Sequence, residues 1–216
     1  MIKITKGHEP TEWTQERNTP GMTFEGARKE ALRLSLLEEQ GGLCGYCMRR
    51  IKHERGLSPI TRIEHLKPQS LSLAEGKPKE TLSYNNMILC CDGDLGHDEN
   101  FHCDRSKGEQ IISFTPLDSA AMNTISYSSK DGRIKSSNAQ YDRDINQVLR
   151  LNHPRLAASR LEVIKGLVTV MGNRAWKKTE IEHKITIYTN KTARGQFREY
   201  CGVIIWYLTK KLRQFG

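Results

Sequence analysis

A chain of 216 residues, 37% hydrophobic and 27% charged, is long enough to bury a real core and too apolar to be a disordered charged segment. Its net charge of +9 and pI near 9.3 favour a polyanionic partner, nucleic acid first among them. No apolar run approaches the ~20 residues of a membrane span, and the start, Met1 to Lys6, has no apolar signal core. The expectation is a cytoplasmic protein with no membrane partner, whose six cysteines are metal ligands and spare core residues rather than disulfides.

In chain order, residues 1 to 22 are polar and broken by Pro10, Pro20 and Gly21, which predicts an irregular arm. Phe24, Ala27, Ala31, Leu34 and Leu37 recur at helical spacing, and Gly41-Gly42 stops that helix just before Cys44. Residues 71 to 83 read as loop. Residues 110 to 114 and 123 to 127 read as strands, and Asp131-Gly132 as a hairpin turn into Arg133-Ile134-Lys135, giving a small β-meander. From Asp142 the pattern is helical, interrupted at His153-Pro154. Ala157, Leu161, Ile164, Val168 and Met171 then mark one apolar helix face. A last helix carries Phe197, Cys201, Ile204, Leu208, Leu212 and Phe215 on one stripe. Residues 190 to 216 set six basic side chains against Glu199, five of the nine net positive charges.

Five of the six cysteines fall between residues 44 and 108. Cys44-x-x-Cys47 has the spacing of a zinc knuckle, two thiolates on one tight turn. Cysteines on the far side of the segment, at 90, 91 and 103, supply the other half of a tetrahedral site. His97 and His102 lie in the insertion between them and are open as ligands. Cys201 sits on a helix stripe and belongs to the core.

Between the cysteine groups stands Glu64-His65. Phosphodiester cleavage needs an activated water, charge stabilisation on the phosphate and help for the leaving oxygen. A histidine near neutrality can take the proton from water, and a carboxylate beside it can hold a divalent cation. Neighbours on a strand point to opposite faces, so Glu64 must work from the strand edge or the strand must bend at Leu66-Lys67-Pro68. His8, His53, His153 and His183 have no such surroundings.

The order C-x-x-C, acid-His, Asn-apolar-x-x-x-Cys, Cys-Asp-x-x-Lys resembles the HNH endonuclease superfamily with its ββα-metal core. The closest likeness is to the PtuB-like HNH nuclease subunit of Septu-type and retron-associated antiphage defence. It rests on Leu37 to Cys47, Ile63 to Ser70, Tyr84 to Gly93 and His102 to Gly108, with the Leu-Asn pattern Val148 to Asn152, Leu156 and Arg160 downstream. The resemblance implies a DNA endonuclease paired with an ABC-type ATPase subunit. It implies His65 as general base and Asn86 as the middle residue, a register that also selects Cys91. The Asn85/Cys90 register has the same spacing and stays open. Structural Zn2+ would then lie on Cys44, Cys47, Cys91 and Cys103. Catalytic Mg2+ or Mn2+ would lie on Glu64 and Asp104, where Glu64 replaces the superfamily's usual Asp. Lys67, Arg105 and Lys107 would touch nucleic acid.

The fold class expected is α+β, a zinc-braced ββα-metal core embedded in a mostly helical domain with a small meander. Residues 1–42 form the arm and first helix, 43–109 the core, and 110–216 a meander and helical region that docks the ATPase. A different class of function, a non-catalytic zinc-knuckle module for nucleic-acid binding or assembly, needs the cysteines and basic tail but neither Glu64, His65 nor Asn86. The chain has no G-x-x-x-x-G-K-[ST] loop and so no recognisable ATP site of its own.

Overall fold

The computed structural model describes residues 1–51, 61–93, 100–172 and 174–215, and it is mixed α+β. The leading segment is not all arm. After Pro10 a helix α1 forms over Thr11–Arg17 and buries Trp13. The next helix, α2 (Glu30–Glu39), starts later than the apolar spacing predicts. Phe24 and Ala27 lie in the turns before it, and the Phe24 ring packs edge-on against His65, 4.5 Å between centroids. The Gly41-Gly42 stop occurs where expected, both residues at positive φ. Gln40 closes the helix and ties its end to the backbone at Leu43 and Leu89. Its amide donates to the Leu43 and Leu89 carbonyls at 2.8 and 2.7 Å and accepts from the Leu89 N–H at 2.6 Å.

Strand β1 (Thr61–His65) pairs antiparallel with β2 (Met87–Cys91), with His65 opposite Met87 and Thr61 opposite Cys91. Between them the expected loop is instead a short helix α3 (Gln69–Ala74) and two 3-10 turns at Pro78–Leu82 and Tyr84–Asn86. One helical turn, α4 (Asp104–Lys107), completes a strand–strand–helix order.

Residues 110 to 114, expected as a strand, pair with no strand among the described residues; the Ser113 N–H donates to the Asp144 carboxylate at 2.7 Å instead. A short α5 (Ser119–Asn123) leads into the hairpin β3 (Ile125–Tyr127) and β4 (Ile134–Ser136). Its turn needs Gly132, at φ +71°, because a Cβ there would lie 2.0 Å from the Ala157 carbonyl oxygen. Helix α6 (Ala139–Arg143) runs on into a π turn. Asn152 then clamps β4, bonding both the Ile134 N–H and C=O at 2.8 Å. The buried Arg160 guanidinium donates to the Gly132 and Leu151 carbonyls at 2.6 and 2.8 Å. The Leu-Asn pattern therefore locks the hairpin onto α7 (Pro154–Met171). Ala157, Ile164 and Met171 of the expected α7 face are buried, while Leu161 and Val168 flank it and Leu156, Arg160 and Leu167 take their places.

Helix α8 (Lys178–Thr189) escapes the sequence reading, and α9 (Cys201–Leu212) matches the last apolar stripe except that Phe197 precedes it and Phe215 is exposed. One hydrophobic cluster runs from Met1 through the cysteine region and the hairpin to Cys201 and Val203, so the three sequence segments share a core. A smaller cluster of Leu167, Met171, Ile181, Ile204 and Leu208 joins α7, α8 and α9. Helix α9 packs inward. Its stripe is covered by its own chain, and Gly202 is so close to the Met1 carbonyl and Met48 that a Cβ would come within 2.8 and 2.9 Å of them.

Candidate metal and catalytic site

Four cysteines converge. The sulfurs of Cys44, Cys47, Cys91 and Cys103 all lie within 4.8 Å of one another and all four residues are buried. The Cys44–Cys103 and Cys47–Cys91 distances are both 3.8 Å. With Zn–S near 2.3 Å, the edge of a regular ZnS4 tetrahedron is about 3.8 Å. Four soft donors at that spacing fit a metal ion such as Zn2+. Local backbone brings them there. The Cys44 N–H donates to the Arg49 carbonyl, Met48 takes a positive φ to close the knuckle, and Cys103, also at positive φ, donates its N–H to the Leu149 carbonyl. Strand pleat separates Cys90 from Cys91. Cys90 is buried outside the tetrad, and burial pushes its thiol well above the ordinary range.

His102 stands beside the tetrad rather than in it. Its Nδ1 is 3.0 Å from the Cys103 sulfur and 4.0 Å from that of Cys91, and its buried Nε2 has no hydrogen-bond partner among the described residues. His97 and His53 lie outside the described residues.

The Glu64-His65 pair obeys the pleat. β1 runs straight through both, and the two side chains have separate surroundings. His65 donates from Nε2 to the Thr81 carbonyl at 2.9 Å. A carbonyl can only accept, so in the neutral ring the proton is on Nε2 and Nδ1 carries the basic lone pair. Burial holds the imidazole below its ordinary 6.5, with the Lys107 charge acting the same way. Asn86 fixes the chain just beyond. Its Oδ1 accepts from the Lys67 N–H at 2.7 Å, its Nδ2 donates to the Lys67 carbonyl at 3.0 Å, and its own carbonyl accepts from Leu66. Asn85 is exposed. The register in the structure is thus Asn86 with Cys91.

On the other face, Glu64 and Asp104 come together from 40 residues apart and share a hydrogen bond. Tyr46 donates to Glu64 Oε1 at 2.8 Å and the Lys107 ammonium reaches the same oxygen at 2.9 Å. Burial, then Asp104, push the Glu64 carboxyl up to about 9, against the pull of Lys107. Asp104 accepts from the Arg62 guanidinium. Tyr46 and Arg62 were missed from sequence, although Arg62 was findable, two residues before Glu64 and so on the same strand face.

Two carboxyl groups have the right chemistry for Mg2+ or Mn2+, but as folded they do not fit one. One oxygen of Glu64 is already shared by a hydroxyl and an ammonium, and Asp104 is engaged by a guanidinium. Lys107 is also corrected as a phosphate contact. It is 1% exposed, and its ammonium is taken by Glu64 and by the His65 and Gly108 carbonyls at 3.1 and 3.4 Å. Lys67 is ion-paired with Glu75 and Glu80, at 2.7 and 2.6 Å. Arg105 is exposed and lies 3.5 Å over the Phe101 ring.

No helix among the described residues is long and apolar enough to cross a membrane. No protein-family model and no curated protein matches this chain.

Proposed function

We propose that the chain is a phosphodiester hydrolase of the HNH type, an endonuclease acting on DNA as the effector of an antiphage defence complex with an ABC-type ATPase subunit. The observation that carries this reading is the state of His65. It is neutral near physiological pH, with Nε2 committed to a backbone carbonyl and Nδ1 left basic, at the end of a strand that Asn86 holds in place. That is the arrangement a general base for water requires. The strand–strand–helix order and the thiolate tetrad support it. Zn2+ on the four cysteines would tie the knuckle, the end of β2 and the head of α4 into one frame, and so hold Asp104 against Glu64 of the histidine strand. The charge of +9 suits a nucleic-acid substrate. The ATPase and the defence role come from the sequence resemblance alone.

A binding or assembly module is the second reading, favoured by the burial of Glu64 and Lys107 against each other. Nicking of supercoiled plasmid in Mg2+ or Mn2+ by wild type and His65→Ala separates the two. The nuclease reading expects cleavage by the first and none by the second. Equal cleavage by both, or none by the zinc-loaded wild type with its partner ATPase present, overturns it.

A further inference from the structure

The carboxyl pair that the proposed nuclease would offer to a hard cation is already served by two cations of the chain itself. Lys107 supplies one. Its three N–H donors have three acceptors, Glu64 Oε1 at 2.9 Å, the His65 carbonyl at 3.1 Å and the Gly108 carbonyl at 3.4 Å. Arg62 supplies the other, from the half-exposed rim of the strand onto Asp104. The two differ in setting. The Lys107 and Glu64 side chains are 1% and 2% exposed, whereas that of Arg62 is 54% exposed. Two unit charges from the protein thus occupy the place a single divalent charge would take.

Resting on the nuclease reading, we propose that Lys107 and Arg62 stand in for a divalent cation at the Glu64–Asp104 pair, and that Mg2+ or Mn2+ enters only by displacing them. The consequence is a chain that binds hard cations poorly by itself. Lys107 lies on a single helical turn between Cys103 and Gly108, both at positive φ. Moving that turn would withdraw the ammonium from Glu64 while the Cys103 sulfur stays in the tetrad. The same ammonium also bonds the carbonyl of His65, so its withdrawal would reach the base as well as the carboxyl pair.

The test is Mn2+ binding by the full-length, zinc-loaded chain, read from the electron-spin signal of the free ion. An opposite charge at this distance shifts a carboxylate's preference for its charged form by one to three pKa units, so Lys107→Gln is expected to bind Mn2+ about tenfold more tightly or better. Adding Asp104→Asn should remove the gain. Arg62→Gln sits at the surface and keeps its fold. Its screened charge is worth less, and the expected gain is about threefold. If Lys107→Gln does not fold, Arg62→Gln decides. Wild-type or weaker Mn2+ affinity in the variants that fold overturns the proposal and leaves Lys107 a purely structural ion-pair partner. Plasmid cleavage is scored separately. Tighter Mn2+ binding without any His65-dependent cleavage sinks the nuclease reading and keeps this one, and the reverse result does the opposite.

Discussion

The two centres of this molecule differ in what they lack. At the thiolate tetrad four soft donors face one another at the edge length of a metal tetrahedron, with the imidazole of His102 close by, 3.0 Å from the Cys103 sulfur. At the carboxyl pair the donors are hard, fewer, and already served by Tyr46, Lys107 and Arg62. The first arrangement could hold a metal ion such as zinc, since four buried thiols gain little from one another. The second is complete as it stands. A ligand set is therefore diagnosed by its unmet demand more than by its residue types.

The sharpest way to break this contrast is at the tetrad. Cys103→Ser should lose the metal and with it on the order of 5–10 kcal/mol of folding free energy, enough to unfold the chain. Cys90→Ser, one residue from Cys91 but outside the tetrad, should retain full metal content and cost only about 1–3 kcal/mol for a buried hydroxyl. Metal analysis alongside thermal melting checks both. Equal metal loss in the two would mean the pleat assignment of Cys90 and Cys91 is wrong.

On the nuclease reading, the expected loss at His65 is in rate. His65→Ala should reduce cleavage by about 10²–10⁴-fold with metal content unchanged. Because burial lowers the His65 pKa from 6.5, the base is already neutral above that value. The acid limb of the rate profile should fall below pH 6.5, and an inflection above it would assign the base elsewhere.

How much of this was legible in the sequence depends on the range of the determinant. The C-x-x-C knuckle, the Gly41-Gly42 stop and the Asp131-Gly132 hairpin are set by neighbours and could be read directly. The choice of Cys91 over Cys90 rested on the resemblance alone, because the Asn85/Cys90 register has the same spacing. What escaped was tertiary. Phe24 leaves its helical spacing to pack on His65, and residues 110 to 114 give up a strand because Asp144 captures the Ser113 N–H. Lys107 looked like a phosphate contact because a lysine in sequence carries no sign of its burial. Helix α8 has only Ile181, Ile185 and Tyr188 to mark its inner face, and it exists because α7 and α9 cover it.

Glu64 offers a smaller and slower-building effect, through pH. Its folded value of about 9 lies above its ordinary 4.5. A carboxyl whose pKa is raised on folding holds its proton more tightly in the native state, so its contribution favours folding below pH 4.5 and is lost as pH rises toward 9. Relative to Glu64→Gln, which does not titrate, the wild type should lose stability across that window by up to about 1.4 kcal/mol per pH unit. The Lys107 contact opposes the shift and is already contained in the value of about 9. Melting temperatures of both proteins from pH 5 to 8.5 test it. A constant difference would mean that Glu64 is ionised throughout and fully paired with Lys107.

The smallest expected difference is the one between two adjacent asparagines. Asn86 spans the peptide of Lys67 with a donor and an acceptor at 3.0 and 2.7 Å, and so holds the chain as it leaves β1 directly after His65. Truncating it to alanine leaves a backbone N–H and C=O without those partners in a half-buried position, a cost of about 1–3 kcal/mol. The loss of positioning should also lower the cleavage rate without moving the His65 acid limb, because the base itself is unchanged. Asn85 is exposed at the same turn, and its alanine variant should stay within about 0.5 kcal/mol of wild type. Chemical denaturation of the two variants is therefore a direct measurement of the register. A larger loss from Asn85→Ala than from Asn86→Ala would shift the turn by one residue. It would carry Cys90 toward the tetrad in place of Cys91, and the contrast between the two centres would have to be redrawn from that strand outward.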